Sequence, residues 1–270
     1  MHLTRHSTTG KARWALDGNF LPESFSLCNL MKLPASEIPA RLLSLKTDEA
    51  ATGTLLAPAD PTHEIWASGV TYLSSRLARE AESQVADVYQ LVYNAARPEL
   101  FFKAIARRAI DPGQPIRIRD DSDWNTPEPE LTLVINSAGE IIGHTIGNDV
   151  SSRSIEGENP LYLPQAKVYN GSCAIGPGIV IDSSLDLAAL DISLEITREG
   201  KQEFIGETST SNIKRPLTEL VEYLYRELDF PEGAFLMTGT GIIPDEPFTL
   251  SRGDHVKIMI GGLALENTVA

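Results

Sequence analysis

The sequence predicts an α+β fold in which a β-rich core carries peripheral helices, with a small unit at its N-terminus. Three observations carry that expectation. The chain has 270 residues, enough to bury a sizeable core without disulfide or metal support, and about 150 residues per domain allows a small domain plus a large one. Beyond Pro115 most apolar residues alternate with period two or form short β-branched runs, as strands do. Only the segments Ser74 to Ala95 and Pro216 to Leu228 keep helical spacing over several turns. Hydrophobic residues make up 42% and charged residues 22%, ordinary values for a globular chain.

In order along the chain, the first residues hold short apolar stretches and then a short helix around Ser36 to Leu45. Ala57-Pro58-Ala59-Asp60-Pro61 reads as a linker, since two prolines discourage helix and ladder alike. The expected division is therefore a small domain at 1–62 and a catalytic domain at 63–270. From Ser74 to Ala95, Leu77, Ala81, Val85, Val88 and Val92 line one helix face. Glu99 to Ile110 reads as a second helical segment. Strands follow at Ile116-Arg117-Ile118-Arg119 and Leu131-Thr132-Leu133-Val134-Ile135. Asn136-Ser137-Ala138-Gly139-Glu140 makes a hairpin turn, with Ile141 to Val150 as the return strand. Ile179 to Ile181 and Ala189 to Thr197 continue the β pattern, and Arg198-Glu199-Gly200-Lys201 turns the chain again. Pro216 suits a first helical position, with Leu217, Leu220, Val221, Leu224 and Leu228 as the buried stripe. Strands resume at Ala234 to Thr238 and His255 to Ile260.

Charge and targeting signals exclude several classes. Asp and Glu number 37 against 23 Lys and Arg, a formal net charge of −14. That field repels nucleic acid and anionic membrane surfaces. No apolar run approaches the ~18–20 residues of a membrane span, and Met1 to His6 lacks a secretory pattern. Two cysteines, Cys28 and Cys173, fit a reducing cytoplasm better than a disulfide scaffold.

The strongest chemical signal is Glu128-Pro129-Glu130 with Asp149 across the turn. Residues i and i+2 of a strand share a face, about 6–7 Å apart. If Ala138-Gly139 forms a two-residue turn, paired numbers sum to 277, and 277 − 128 = 149 puts Asp149 opposite Glu128. Three converging carboxylates repel one another unless a hard dication with oxygen ligands neutralises them, Mg²⁺ or Mn²⁺. Spacing alone leaves a metal site and a solvated acidic face both open. Zinc is disfavoured, because His2, His6, His63, His144 and His255 show no paired ligand spacing. His144 and His255 read as sheet residues.

Several blocks together resemble the fumarylacetoacetate hydrolase superfamily. They are Arg97-Pro98-Glu99-Leu100-Phe101-Phe102-Lys103, Pro127-Glu128-Pro129-Glu130-Leu131, Gly147-Asn148-Asp149-Val150-Ser151-Ser152-Arg153, Gln165-Ala166-Lys167, Ile175-Gly176-Pro177 and Thr238-Gly239-Thr240-Gly241. Within it, Gly157-Glu158-Asn159-Pro160-Leu161-Tyr162-Leu163-Pro164-Gln165-Ala166-Lys167 looks like the branch of 2-keto-3-deoxy-D-arabinonate and related sugar-acid dehydratases. The resemblance implies a mixed β-roll catalytic domain, a smaller N-terminal domain, and dimers or tetramers. It also implies Mg²⁺ held by Glu128, Glu130 and Asp149. Hydrolytic members carry Gly-x-Asn-Tyr-x-x-His, whose histidine helps activate water. Here that stretch is Gly69-Val70-Thr71-Tyr72-Leu73-Ser74-Ser75, with serine in place of the imidazole, which fits elimination of water.

The expected substrate is a 2-keto-3-deoxy sugar acid, 2-keto-3-deoxy-D-pentonate going to 2,5-dioxopentanoate through a metal-bound enolate. Glu99, ahead of the Phe101-Phe102 pair, is the candidate base, with a helix N-terminal carboxylate as its bland reading. Lys167 is the candidate cation for the enolate or the leaving hydroxyl. Thr240, in a Gly-rich turn, is a candidate for the substrate carboxylate or simply part of a tight turn. Arg76 is a candidate anion binder or a partner of Glu80 at i+4. Arg153 reads as a structural partner of the acids. An acylpyruvate hydrolase or oxaloacetate decarboxylase on the same scaffold is the alternative, and Ser75 discriminates against it.

Overall fold

The computed structural model describes residues 1–82 and 86–270, and the side chains of residues 79–89 lie outside that description. The chain opens with strands β1 (His2–Ser7), β2 (Ala12–Leu16) and β3 (Asn19–Phe20), short helices α1 (Leu27–Leu30) and α2 (Ile38–Ser44), and β4 (Thr54–Leu56). Next come β5 (Glu64–Gly69), helices α3 (Leu73–Glu82) and α4 (Ala86–Asn94), and β6 (Glu99–Ile105). The middle holds β7 (Asn125–Thr126), β8 (Pro129–Ile135), β9 (Ile141–Asp149) and β10 (Ser151–Ser152), then α5 (Arg153–Glu158), α6 (Leu163–Lys167) and β11 (Cys173–Val180). The last third contains β12 (Asp191–Arg198), β13 (Lys201–Ser209), α7 (Leu217–Tyr225), β14 (Ala234–Met237), β15 (His255–Ile260) and β16 (Leu263–Thr268).

These strands form a large mixed sheet in the order β3-β2-β1-β11-β9-β8-β14-β5-β6, with β4 also on β1. Its pairs are antiparallel except β14 with β5. A second sheet, β13-β12-β15-β16, packs against it, and β7 with β10 makes a small ribbon. The α+β class and peripheral helices match expectation. Strand β8 is buried along its whole length because both its faces are covered, which explains its continuous apolar run. Leu131, Leu133 and Ile135 point into a core shared with Leu194, Ile258 and Leu224. Val134 points the other way, among Phe235, Leu16, Met31 and Leu42. The expected division at residue 62 falls between β4 and β5. Residues before it share a sheet and a core with those after it, since His2 and Leu3 pair with Val180 and Ile179.

The β8–β9 register obeys the sum of 277, by a different route from the one expected. Pro129 pairs with Asn148 and Val134 with Gly143, but Ile135 pairs with Ile141 across a bulge. Asn136 N–H donates to Glu140 O at 2.9 Å. The turn thus holds three residues, Ser137 to Gly139, one more than expected, which shifts the sum to 276, and the bulge between Val134 and Ile135 restores it to 277.

Five expectations differ from the structure. Ala57-Pro58-Ala59 is buried rather than a solvated linker. Ala57 N–H donates to Asp111 at 2.6 Å, and Asp60 accepts from Trp14, Ser26 and the Cys28 amide. Glu99 to Ile105 is a strand, because antiparallel pairing with β5 and the Trp66–Phe102 edge contact at 5.9 Å outweigh local helical preference. Ile116 makes only an isolated bridge, to Val269, and the segment 116–119 forms no strand. The expected long helix is described as α3 and α4, with residues 83–85 and the side chains of Ala81, Val85 and Val88 outside the described ones. Leu77, placed on its buried face, is 51% exposed, because α3 turns Ser75 inward instead, 4% exposed. In α7 the buried residues are Leu220, Val221 and Leu224, while Leu228 lies past the helix end and is exposed.

Burial is the leading cause that lowers the pKa of His2, His6, His63 and His144. His144 Nε2 is buried without a hydrogen-bond partner, and only the Asp182 charge pulls its pKa upward. Each ring therefore binds a proton more weakly folded than unfolded. Their stabilising contribution is full above the unfolded value of about 6.5 and is lost as pH falls below it. The melting temperature is expected to drop between about pH 7.5 and about pH 5.5, and His144→Gln to flatten that slope. An unchanged slope in thermal melts of the variant would refute the assignment to His144.

Candidate active site

The β8–β9 hairpin delivers its acids together. Asp149 N–H donates to Glu128 O at 3.0 Å, the register that sets the two residues side by side. Glu128 N–H is held by Asn148 Oδ1 at 3.1 Å. One carboxylate oxygen from each of Glu128, Glu130 and Asp149 lies within 4.8 Å of the others. The three residues are 3%, 1% and 1% exposed, so the solvated acidic face is excluded.

Cations answer these charges. Lys167 Nζ donates to Glu128 Oε2 at 2.6 Å and to Asp149 Oδ2 at 2.9 Å. Lys103 Nζ is ion-paired with Asp149 Oδ1, and Arg153 Nη2 lies 3.1 Å from Glu128 Oε1. All three cations are buried, and Arg153 takes the structural part the sequence suggests. Glu130 instead accepts the Gly239 N–H at 2.6 Å. Burial pushes the Glu130 carboxyl well above its usual range, and the charges of Asp149 and Glu128 push it further. Lys167 and the Gly239 amide act in the opposite sense.

A narrow cavity opens onto this cluster. It brings together Glu99, Glu128, Glu130, Asp149, Lys167 and Thr240, every candidate site residue except Arg76. The Arg76 guanidinium sits 5.2 Å from the Tyr93 ring centre. Its suggested partner Glu80 lies outside the described side chains. Glu99 begins β6 rather than a helix, opposite Gly69. A β-carbon on Gly69 would come within 2.1 Å of Glu99 Oε2, so glycine is what lets the carboxylate lie there. Phe101 also lines the cavity, and its ring centre is 5.6 Å from Lys167 Nζ. The Thr240 hydroxyl is engaged in its own turn, bonded with Ile242 O at 3.1 Å and Ile242 N at 3.2 Å.

Sequence reasoning missed Glu156, which lines the cavity and is 4% exposed. Its spacing of three from Arg153 on α5 puts both on one helix face, the signal that would have found it. It also missed Lys103, four residues beyond Glu99 on one strand.

A second group, Cys28, Asp60 and His63, also converges. It does not suit a metal. His63 Nδ1 accepts the Asp60 amide at 3.0 Å, so Nε2 carries the proton and donates to Glu232 O at 2.9 Å. Burial, first among the causes, raises the Cys28 thiol to about 12, the form that binds metal worst. The first cluster does suit a hard dication. Its donors are all carboxylate oxygens, one from each acid, converging within 4.8 Å, the hard oxygen set that a dication of this kind takes.

Residues 64–270 match the family model described as fumarylacetoacetate (FAA) hydrolase C-terminal. The chain is 52% identical over 208 residues to a probable 2-keto-3-deoxyxylonate dehydratase of Haloferax volcanii, covering 76% of this chain and 72% of that one. It is 44% identical over 212 residues to a 2-dehydro-3-deoxy-D-arabinonate dehydratase of Saccharolobus solfataricus, covering 76% and 70%. A solved 2-keto-3-deoxy-D-arabinonate dehydratase complexed with magnesium and 2,5-dioxopentanoate superposes with a TM-score of 0.84 at 34% identity, over 100% of this chain and 98% of that one.

Gly239 has φ +92°, and a β-carbon there would meet Thr71 Oγ1 at 2.0 Å. Gly239→Ala is expected to destabilise the chain by about 1–3 kcal/mol, read from its denaturant midpoint, and to weaken divalent-cation binding by disturbing Glu130. An unchanged midpoint would contradict this account of the turn.

Proposed function

The chain belongs to the fumarylacetoacetate hydrolase family, and on that premise we propose that it is a hydro-lyase acting on a 2-keto-3-deoxy sugar acid. The substrate assigned is 2-keto-3-deoxy-D-pentonate and the product 2,5-dioxopentanoate, the α-ketoglutarate semialdehyde. The names of its relatives support the class of reaction. One observation carries the choice of elimination over hydrolysis. Ser75 lines the cavity where a water-activating imidazole would stand, and among the described residues no histidine lines it.

Glu128, Glu130 and Asp149 would hold Mg²⁺, with Mn²⁺ accepted by the same oxygen donors. Bound there, the ion supplies the charge withdrawal from the 2-keto group that acidifies the protons on C3. Glu99 takes one of those protons. Lys167 donates a proton to the C4 hydroxyl as the C4–O bond breaks, so that water leaves. The Glu128 and Asp149 carboxylates aim that ammonium. Isomerisation of the resulting unsaturated keto acid completes the sequence. Thr240 is assigned to the substrate carboxylate. Arg76 is left out of the set, because its guanidinium packs on Tyr93. Both cysteines are free, which fits the cytoplasmic setting proposed, and the resemblance supports a homodimer or homotetramer.

Coupling to an α-ketoglutarate semialdehyde dehydrogenase tests the reaction. NADH is expected to appear with 2-keto-3-deoxypentonate; its absence, with turnover of acylpyruvates or oxaloacetate instead, would reject elimination. Exhaustive EDTA is expected to abolish turnover and Mg²⁺ to restore it. Glu99→Gln is expected to lower kcat by about 10²- to 10⁴-fold while Mg²⁺ binding persists. Near-wild-type kcat would remove Glu99 from the base role.

A further inference from the structure

We propose that Lys103 is a positioning residue whose buried ammonium clasps Asp149 and the main chain of Lys167 to the strand that carries Glu99. Its side chain is wholly buried, and the ammonium meets acceptors in three directions. It is ion-paired with Asp149 Oδ1. It donates to Val150 O at 3.1 Å and to Lys167 O at 2.6 Å. Two of its N–H bonds go to these carbonyls, and its charge faces the Asp149 carboxylate.

The placement is specific to this point of the fold. Along β6, Trp66 pairs with Phe102 and Ile65 with Ala104, so Lys103 is the extra residue of a β-bulge. Bulges re-aim a side chain next to a site. This one swings Lys103 under the acid cluster while Glu99 and Phe101, four and two residues earlier, line the cavity. Lys167 O is the last carbonyl of α6, and it also accepts Ser172 Oγ at 2.8 Å. The carbonyl is therefore pinned from two sides, and the Lys167 side chain starts from a fixed base. One cation thereby sets the spacing between a dication ligand, the proton donor and the base strand. A displacement of about 1 Å at such a spacing costs on the order of 10²-fold in rate.

The rate arm of this inference rests on the dehydratase reading; the metal arm does not. Lys103→Met is compared with wild type in thermal melts, in Mn²⁺ titrations followed by EPR, and in turnover of 2-keto-3-deoxypentonate at saturating Mn²⁺. The folded variant is expected to bind Mn²⁺ about 10- to 100-fold more weakly. Its kcat is expected to stay down about 10²-fold even at saturating Mn²⁺, with KM little changed. A purely structural lysine would lower the melting temperature alone. Either Mn²⁺ affinity or saturated kcat within twofold of wild type overturns the proposal. Should Lys103→Met not fold, Ser172→Ala decides. It removes the other donor to the Lys167 carbonyl and is expected to lower kcat several-fold at unchanged Mn²⁺ affinity, and an unchanged kcat overturns the proposal. If wild type turns over no 2-keto-3-deoxy acid, the functional reading fails, while the Mn²⁺ comparison still judges the clasp.

Discussion

Three carboxylates held within 4.8 Å of one another and away from water form the constraint to which the rest of the structure answers. Bare, such a group would be forced to neutralise itself by taking up protons. The fold instead surrounds it with Lys103, Arg153 and Lys167, each buried and each drawn from a different element. Glu130 is the exception, bonded to an amide rather than ion-paired to one of these cations. That asymmetry leaves one acid shifted toward its neutral form, the place where a dication most changes the charge balance.

The same demand explains the architecture around the hairpin. A charge cluster at the meeting of β8 and β9 has to be insulated on both faces, and two separate apolar cores supply that insulation. The N-terminal residues close one face, and the second sheet with α7 closes the other. Backbone amides do the remaining work, since Asn148 and Gly239 orient Glu128 and Glu130 without adding charge.

Much of this was legible in the sequence because it rests on period-two arithmetic. Glu128, Glu130 and Asp149 converge by strand alternation and a register sum, and the sum survived even though a bulge replaced the expected turn. What was not legible depends on partners distant in the chain. Glu99 to Ile105 reads as helix until β5 is there to pair with it. Leu77 reads as the buried side of an amphipathic helix, yet it is Ser75 that faces in. Lys103 was visible only as one letter of a motif, and its function appears only when Asp149 and Lys167 arrive from segments far along the chain. The buried cations as a group were invisible to hydrophobic patterning, which treats a lysine as surface.

Strand β6 ends the large sheet, whereas β8 and β9 lie in its interior. The strands that carry Glu130 and Asp149 are thus locked by neighbours on either side, while the strand bearing Glu99, the proposed base, hangs on a single partner. A scaffold divided in this way can be rewritten at its margin. Substitutions along that border would change which groups face the acids while the anchored middle stays in place, a division that suits one scaffold to more than one chemistry.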